Sequence, residues 1–377
     1  MAKETKVTLN LTSINTYLLV ILVVILAFGM YTLIGVQKQF KEIKPAVPPK
    51  LSALTVTVLM PPECADCFDS AAFAAAIKQL PLTNVTEKKV AYDSEEGKAL
   101  IEQYKLTRAP SAVITGEIEN VTIPGFNKTE NAYSFTDTPP PYYDLSQKRV
   151  MGRVSVTFIT DKSCDLCFNI TQFGDQLKQV GVAMSSATNL NVADETAKQL
   201  IQKYSITRIP VMLLSNDALL YDVVKQAWKQ VGSQESDGTL VLRTVSPPYK
   251  DLSTRQVHGL VTVTYLTDTS CADCYNVSLH KLVLEQSFGT QFKGEKYVDV
   301  SSTAGKSLVQ KYNITLVPTV LLDKEADAYA ALTQAWPQVG QQFPDGTFVF
   351  QKVNLLNGVT YKDLSTGKTV NATAAEQ

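Results

Sequence analysis

One spacing, repeated three times, constrains this chain more than any other feature. Cys-X-X-Cys pairs begin at Cys64, Cys164 and Cys271, and a proline follows each first cysteine after 46 or 47 residues, at Pro110, Pro210 and Pro318. The prolines close related stretches, KALIEQYKLTRAP (98–110), KQLIQKYSITRIP (198–210) and KSLVQKYNITLVP (306–318). Further on come the phrases PPPYYDLS around Asp144, SPPYKDLS around Asp251 and TYKDLS around Asp363. A constant internal distance across variable sequence means a preserved framework, copied in tandem. It sets domain limits at 51–149, 150–257 and 258–370, with a tail at 371–377.

Within each repeat the order of elements is readable. LTVTVL (54–59), VSVTFI (154–159) and LVTVTYL (260–266) are rich in β-branched and aromatic residues and are predicted strands. The cysteine pair is expected to open a helix, on the apolar spacing of Phe68, Phe73, Ile77 and Leu80. A second strand follows, clearest in KYVDV (296–300), and then the tyrosine-bearing helix with Tyr104, Tyr204 or Tyr312. After the proline come apolar strands, SAVIT (111–115), VMLLS (211–215) and TVLLD (319–323). Strands alternating with helices imply an α/β layer with some parallel pairing. Repeats 2 and 3 add a predicted helix carrying Trp228 or Trp336, read as core anchors, then an Asp-Gly turn and a strand. Repeat 1 lacks the tryptophan and is degenerate over 117–138. Asp144, Asp251 and Asp363 read as caps of local turns.

The N-terminus is of another kind. Thr16 to Gly35 is twenty residues without a charge, long enough as a helix to cross the roughly 30 Å apolar core of a bilayer. No small-residue cleavage site follows, so residues 16–36 read as an uncleaved anchor, with 37–50 as linker. The lysines on its flanks, Lys3 and Lys6 against Lys38, Lys41, Lys44 and Lys50, would leave the remainder cytoplasmic. Asparagine usage outweighs that count. Eight of 15 asparagines stand in Asn-X-Ser/Thr, where chance predicts about two or three. Residues 37–377 are therefore expected outside the cytoplasm. Asn84, Asn120, Asn127, Asn169, Asn276, Asn313 and Asn371 are candidate glycosylation sites, with Asn10 as the eighth motif, ahead of the span.

Several function classes find no support. A net charge of −1 and the lack of a basic cluster exclude a nucleic-acid reading. There is no Gly-X-Gly-X-X-Gly after a strand, no phosphate-binding loop and no Gly-X-Ser-X-Gly elbow. The cysteine pairs lie on separate repeats, too far apart in sequence to suggest one zinc site. Two histidines remain, His258 in a linker and His280 six residues past Cys274. Neither recurs in the other repeats, so both read as surface residues, and no metal or cofactor is expected.

At this point the repeats resemble the thioredoxin-fold family. The resemblance covers about 60 residues of each repeat: a strand, a Cys-X-X-Cys at a helix start, a βα step, then a proline before an apolar strand. It implies three tandem thioredoxin-like domains, each a mixed sheet flanked by helices. It also implies cis peptide bonds before Pro110, Pro210 and Pro318, whose edge would pair with an extended client chain. Cys64, Cys164 and Cys271 would attack, favoured by helix N-terminal amides, and Cys67, Cys167 and Cys274 would resolve the mixed disulfide.

The chain departs from that family in four ways. Glu63, Ser163 and Ser270 replace the tryptophan that precedes the first cysteine in thioredoxins. Val58, Phe158 and Tyr265 replace a buried acid six residues earlier. Asp66, Asp165 and Asp273 lie between the cysteines and oppose a thiolate. Sugars on Asn169 or Asn276 would crowd a client. Two functions stay open. One is a membrane-anchored extracytoplasmic thiol–disulfide oxidoreductase or isomerase with protein thiol or disulfide clients or a redox partner. The other is a structural surface protein whose modules hold fixed disulfides.

Overall fold

The computed structural model describes residues 53–78, 85–119 and 122–372. The span at 16–36 and the asparagines Asn10, Asn84 and Asn120 lie outside these residues. The described chain forms two compact units, one from 53–60, 69–106 and 111–136, the other from 61–68, 107–110 and 137–372. Among the described residues no helix is long and apolar enough to cross a membrane.

The first unit holds a five-stranded sheet in the order Val85–Ala91, Leu54–Met60, Ser111–Gly116, Tyr133–Phe135, Asn127–Lys128. Leu54–Met60 runs parallel to Val85–Ala91 and antiparallel to Ser111–Gly116. A parallel neighbour needs a crossover, and helix Ala71–Lys78 lies on that connection. The central strand is apolar because both its faces are covered, with Leu54, Val56, Val58 and Leu59 buried. The edge strand instead exposes Glu87, Lys88 and Lys89, charges that discourage pairing with another chain. Helix Glu95–Tyr104 begins where Ser94 Oγ accepts the Gly97 N–H at 3.0 Å.

The second unit holds two sheets of the same order. One runs Met184–Asn191, Val154–Thr160, Val211–Leu214, Leu240–Leu242, Gly232–Gln234. The other runs Gln291–Asp299, Leu260–Thr267, Thr319–Leu322, Phe348–Phe350, Gly340–Gln342. Trp228 and Trp336 are buried anchors, the first donating its indole N–H to Ser233 O, the second edge-on to Phe348. The recurrent tyrosines hold the Asp-Gly turns: Tyr204 donates to Asp237 at 2.8 Å and Tyr312 to Asp345 at 2.9 Å.

Three small antiparallel sheets, all in the second unit, complete the architecture. They are Arg108–Ala109 with Tyr142–Asp144 and Arg149–Met151, then Arg208–Ile209 with Tyr249–Asp251 and Val257–His258, then Leu316–Val317 with Thr360–Asp363 and Lys368–Asn371. Asp144, Asp251 and Asp363 cap the turn after each middle strand, accepting backbone N–H groups two and three residues on.

The joints between repeats are also copies. Gly152 and Gly259 have φ of +87° and +88°, and an added Cβ would meet Pro140 Cβ at 2.4 Å and Pro247 Cβ at 2.5 Å. Only glycine suits both demands. The Tyr221 hydroxyl donates to Gly152 O and accepts from the Ala183 N–H; Tyr329 repeats this with Gly259 O and the Gln291 N–H.

Candidate active site

All six cysteines are joined as Cys64–Cys67, Cys164–Cys167 and Cys271–Cys274. Every pair occupies a tight turn in which the second cysteine's N–H reaches the first cysteine's carbonyl at 3.2–3.4 Å. All six residues are partly exposed. The Ala109–Pro110, Ile209–Pro210 and Val317–Pro318 peptide bonds are cis.

The helix expected to open at each pair starts later, at Ala71, Gln172 and Leu279, four to five residues past the second cysteine. The intervening residue explains the delay. The N–H groups of Phe68, Phe168 and Tyr275 donate to Pro141 O, Pro248 O and Thr360 O, instead of entering a helix. Asp69, Asn169 and Asn276 then make side-chain turns onto the backbone two residues on. A helix dipole acts mainly within its first turn, so helix amides are not the main support for a thiolate here.

The edge beside each cis proline is likewise not open. Arg108 and Ala109 pair with Asp144 and Tyr143, Arg208 and Ile209 with Asp251 and Lys250, Leu316 and Val317 with Asp363 and Lys362. The repeated Tyr-Asp and Tyr-Lys-Asp phrases are thus straps laid between the cysteine turn and the proline strand, on the backbone groups a client was expected to use. The turn signals in these phrases mark only the capped turn, not the strand pairing that precedes it.

Repeats 2 and 3 fasten the strap with a buried ion pair. Lys250 Nζ lies 2.5 Å from Asp161, and Lys362 Nζ lies 2.7 Å from Asp268. Each aspartate stands three residues before the first cysteine and its carbonyl accepts that cysteine's N–H at 3.0 Å. Burial raises both carboxyls, but the lysine ammonium and the hydroxyl and amide of Ser163 or Ser270 outweigh it, holding them below the usual range. Repeat 1 has Pro61 and Tyr143 at these positions. There a different cation is at hand: Arg153 forks onto Asp66 and places Nη2 3.7 Å from Cys64 Sγ. The charge of Asp66 is therefore compensated, and this ion pair holds its carboxyl below the usual range.

The third site has a polar pair of its own. In repeats 1 and 2 the positions one and six past the second cysteine hold Phe68 with Phe73 and Phe168 with Phe173; in repeat 3 they hold Tyr275 and His280. The Tyr275 hydroxyl donates to Pro318 O at 2.9 Å, leaving its oxygen to accept from His280 Nε2 at 3.0 Å. His280 is not a surface residue as first read: it packs 4.6 Å from the Phe350 ring, and burial pushes its pKa down to about 4. Cys274 Sγ lies 4.0 Å from Val317 O, close to this cluster. His258 stays partly exposed beside Glu325 at 3.3 Å.

Asn127, Asn169, Asn276, Asn313 and Asn371 are all exposed. Among the described residues no three His, Cys, Asp or Glu side chains gather as a metal site.

Sheet order, the position of the cysteine turn and the cis proline together define three tandem thioredoxin-like modules, each with a Cys-X-X-Cys disulfide. No family model and no curated protein matches the sequence. Among solved structures, form II of ERdj5 is 11% identical over 73% of this chain and 37% of that one, with a TM-score of 0.15. The NTD_N/C domain of alkylhydroperoxide reductase AhpF from Enterococcus faecalis is 11% identical over 43% of this chain and 82% of its own, TM-score 0.15. Human ERp44 is 8% identical over 78% and 90%, TM-score 0.14. At such values the fold assignment rests on the chain's own topology.

Proposed function

We propose that this chain is a membrane-anchored thiol–disulfide exchange protein working outside the cytoplasm, with protein thiols or disulfides as clients. The observation that carries it is the confinement of all six cysteines to three partly exposed Cys-X-X-Cys disulfides in one register with a cis proline. A client thiolate attacks the first cysteine of a pair. The disulfide breaks, the second cysteine leaves as a thiolate with the bonding electrons, and a mixed disulfide remains. A second client thiol, deprotonated, displaces the first cysteine and closes the client's own disulfide. The protein pair ends as a dithiol, two electrons richer. Residues 16–36 are the anchor, and the excess of glycosylation motifs supports the extracytoplasmic side.

A second reading has one observation of its own. The straps cover the client edge in every repeat, which suits structural modules with permanent disulfides. Thiol trapping with mass spectrometry under graded dithiothreitol separates the two. Exchange predicts that folded protein is reduced by mild reductant and reoxidised by a model disulfide. Pairs that stay oxidised until the protein unfolds would refute it.

A further inference from the structure

We infer that the second pair selects clients by an apolar side chain beside the reacting cysteine, received in a cavity between its Cys-X-X-Cys turn and the third repeat. This inference rests on the exchange reading. The cavity measures about 620 Å³ and is walled by Leu166, Cys167, Phe168, Pro248, Phe288 and Tyr329. That volume lies in the range of sites that take small ligands, with room for a large side chain and part of the segment that bears it. Asp165 is the one charged residue among the described residues of its lining.

Leu166 stands between the two cysteines and is 49% exposed, a costly place for an uncovered leucine. Pairs 1 and 3 carry Asp66 and Asp273 at that position. The preceding joint shows what fills the space otherwise: Arg153 reaches Asp66 and forks onto it. Where Arg153 and Asp66 stand at the first joint, the second has Leu260 and Leu166. The charged fork is replaced by two leucines, and the space beside the disulfide is left open, with an apolar wall of Leu166, Phe168, Pro248 and Phe288 facing Asp165, Asn169, Gln172, Ser246 and Gln291.

The occupant follows from what lies around it. The strap has taken the backbone groups of Arg208 and Ile209, so a client cannot add a strand there. Recognition falls to side chains. A redox disulfide in the wall selects a segment that bears sulfur, and the apolar walls select a Leu- or Phe-sized neighbour. Burying one such side chain predicts a preference on the order of 10-fold or more.

The test uses full-length protein made without glycosylation, with Cys67→Ser, Cys167→Ser and Cys274→Ser so that each first cysteine traps its partner. Two peptides carry one cysteine as a pyridyl disulfide, flanked by Leu and Phe or by Ser and Gln. Attack by the protein thiolate joins the sulfurs and releases thiopyridone, and digestion with mass spectrometry counts adducts at Cys64, Cys164 and Cys271 in one chain. The expected result is an apolar preference on the order of 10-fold at Cys164 alone, abolished by Leu166→Asp and reduced by Ala330→Trp, which intrudes on the cavity from an exposed position. An equal preference at all three cysteines, or one that survives both variants, overturns the inference. If no cysteine is labelled, the exchange reading fails by itself. Calorimetry with the same peptides, serine replacing cysteine, then decides the cavity: apolar binding reduced in Ala330→Trp supports it, and no binding overturns it.

Discussion

Lys362 is where the strap meets the cysteine turn of the third repeat, and Lys362→Met tests whether that contact matters. Its backbone pairs with Val317, and its ammonium lies 2.7 Å from Asp268 and 2.7 Å from Ser270 Oγ. The Asp268 side chain is 6% exposed and that of Lys362 22%. Unit charges at this separation attract by ~6 kcal/mol at an effective dielectric of 20, most of which desolvation cancels. Removing the cation alone strands a buried carboxylate, at a general cost of ~3–5 kcal/mol. Asp268 keeps the N–H and O–H of Ser270, at 2.8 and 2.5 Å, so the expected loss is smaller, ~2 kcal/mol. In urea that is a midpoint shift of ~1 M. The two tryptophans make the assay local. With Trp228→Phe as background, Trp336 fluorescence reports unfolding of the third repeat alone. A cycle with Asp268→Asn should return a coupling of ~1–2 kcal/mol. The acid limb gives a sign check. Asp268 titrates below its ordinary 3.8 in the folded state, so its stabilisation is complete above ~4 and lost as pH falls through the lower folded value. Parent and Lys362→Met should therefore converge once pH falls below the lowered folded value of Asp268. An unchanged midpoint at pH 7, additive single changes, or a shift that persists in acid would each refute the clamp.

Two further outcomes are expected. His280, at about 4 in the folded state against an ordinary 6.5, contributes stability that is complete above 6.5 and lost as pH falls toward 4, ~3 kcal/mol in all. His280→Phe, the residue repeats 1 and 2 use, should flatten the Trp336 unfolding midpoint between pH 7 and 4; an unchanged slope counts against the half-buried Tyr275–His280 pair. Arg153→Ala leaves Asp66 alone beside Cys64, so alkylation of reduced Cys64 at pH 7 should slow roughly 3- to 10-fold. Cys164 and Cys271 in the same digest serve as controls, and equal slowing at all three would show a global effect instead.

The framework was legible because it is periodic. Strand patterns, the cysteine-to-proline distance and the buried tryptophans all recur in register, and each follows from local composition. The strap pairing was not legible from pattern alone. Its strands are three or four residues long, and their partners lie about forty residues earlier, so no local periodicity reports them. Helix onset was misplaced for a related reason: Phe68 fits the apolar spacing of the helix, yet its N–H goes to Pro141. The clamp had left a trace that could have been read. Asp161 with Lys250 and Asp268 with Lys362 occur together in repeats 2 and 3 and vanish together in repeat 1, as Pro61 and Tyr143. His280 could also have been placed, by setting it beside Phe73 and Phe173 in the repeat register.

These differences give the three disulfides unequal prospects for meeting a client. In repeats 2 and 3 freeing the proline edge means breaking strand pairing and a buried ion pair together. In repeat 1 Pro61 and Tyr143 supply no lysine–aspartate clamp, the strand pairing remains, and a guanidinium lies 3.7 Å from Cys64 Sγ. Strand addition at Cys64 therefore breaks no such clamp, and the cation there also favours a thiolate. Side-chain capture is served best at Cys164, beside the open cavity. At Cys271 the strap is clamped and the proline carbonyl is held by Tyr275, whose hydroxyl is in turn bonded by His280, the most fixed arrangement of the three. A chain built only as a spacer has no use for such grading, because identical staples would serve each repeat equally. The graded surroundings of otherwise equivalent disulfides thus weigh toward exchange.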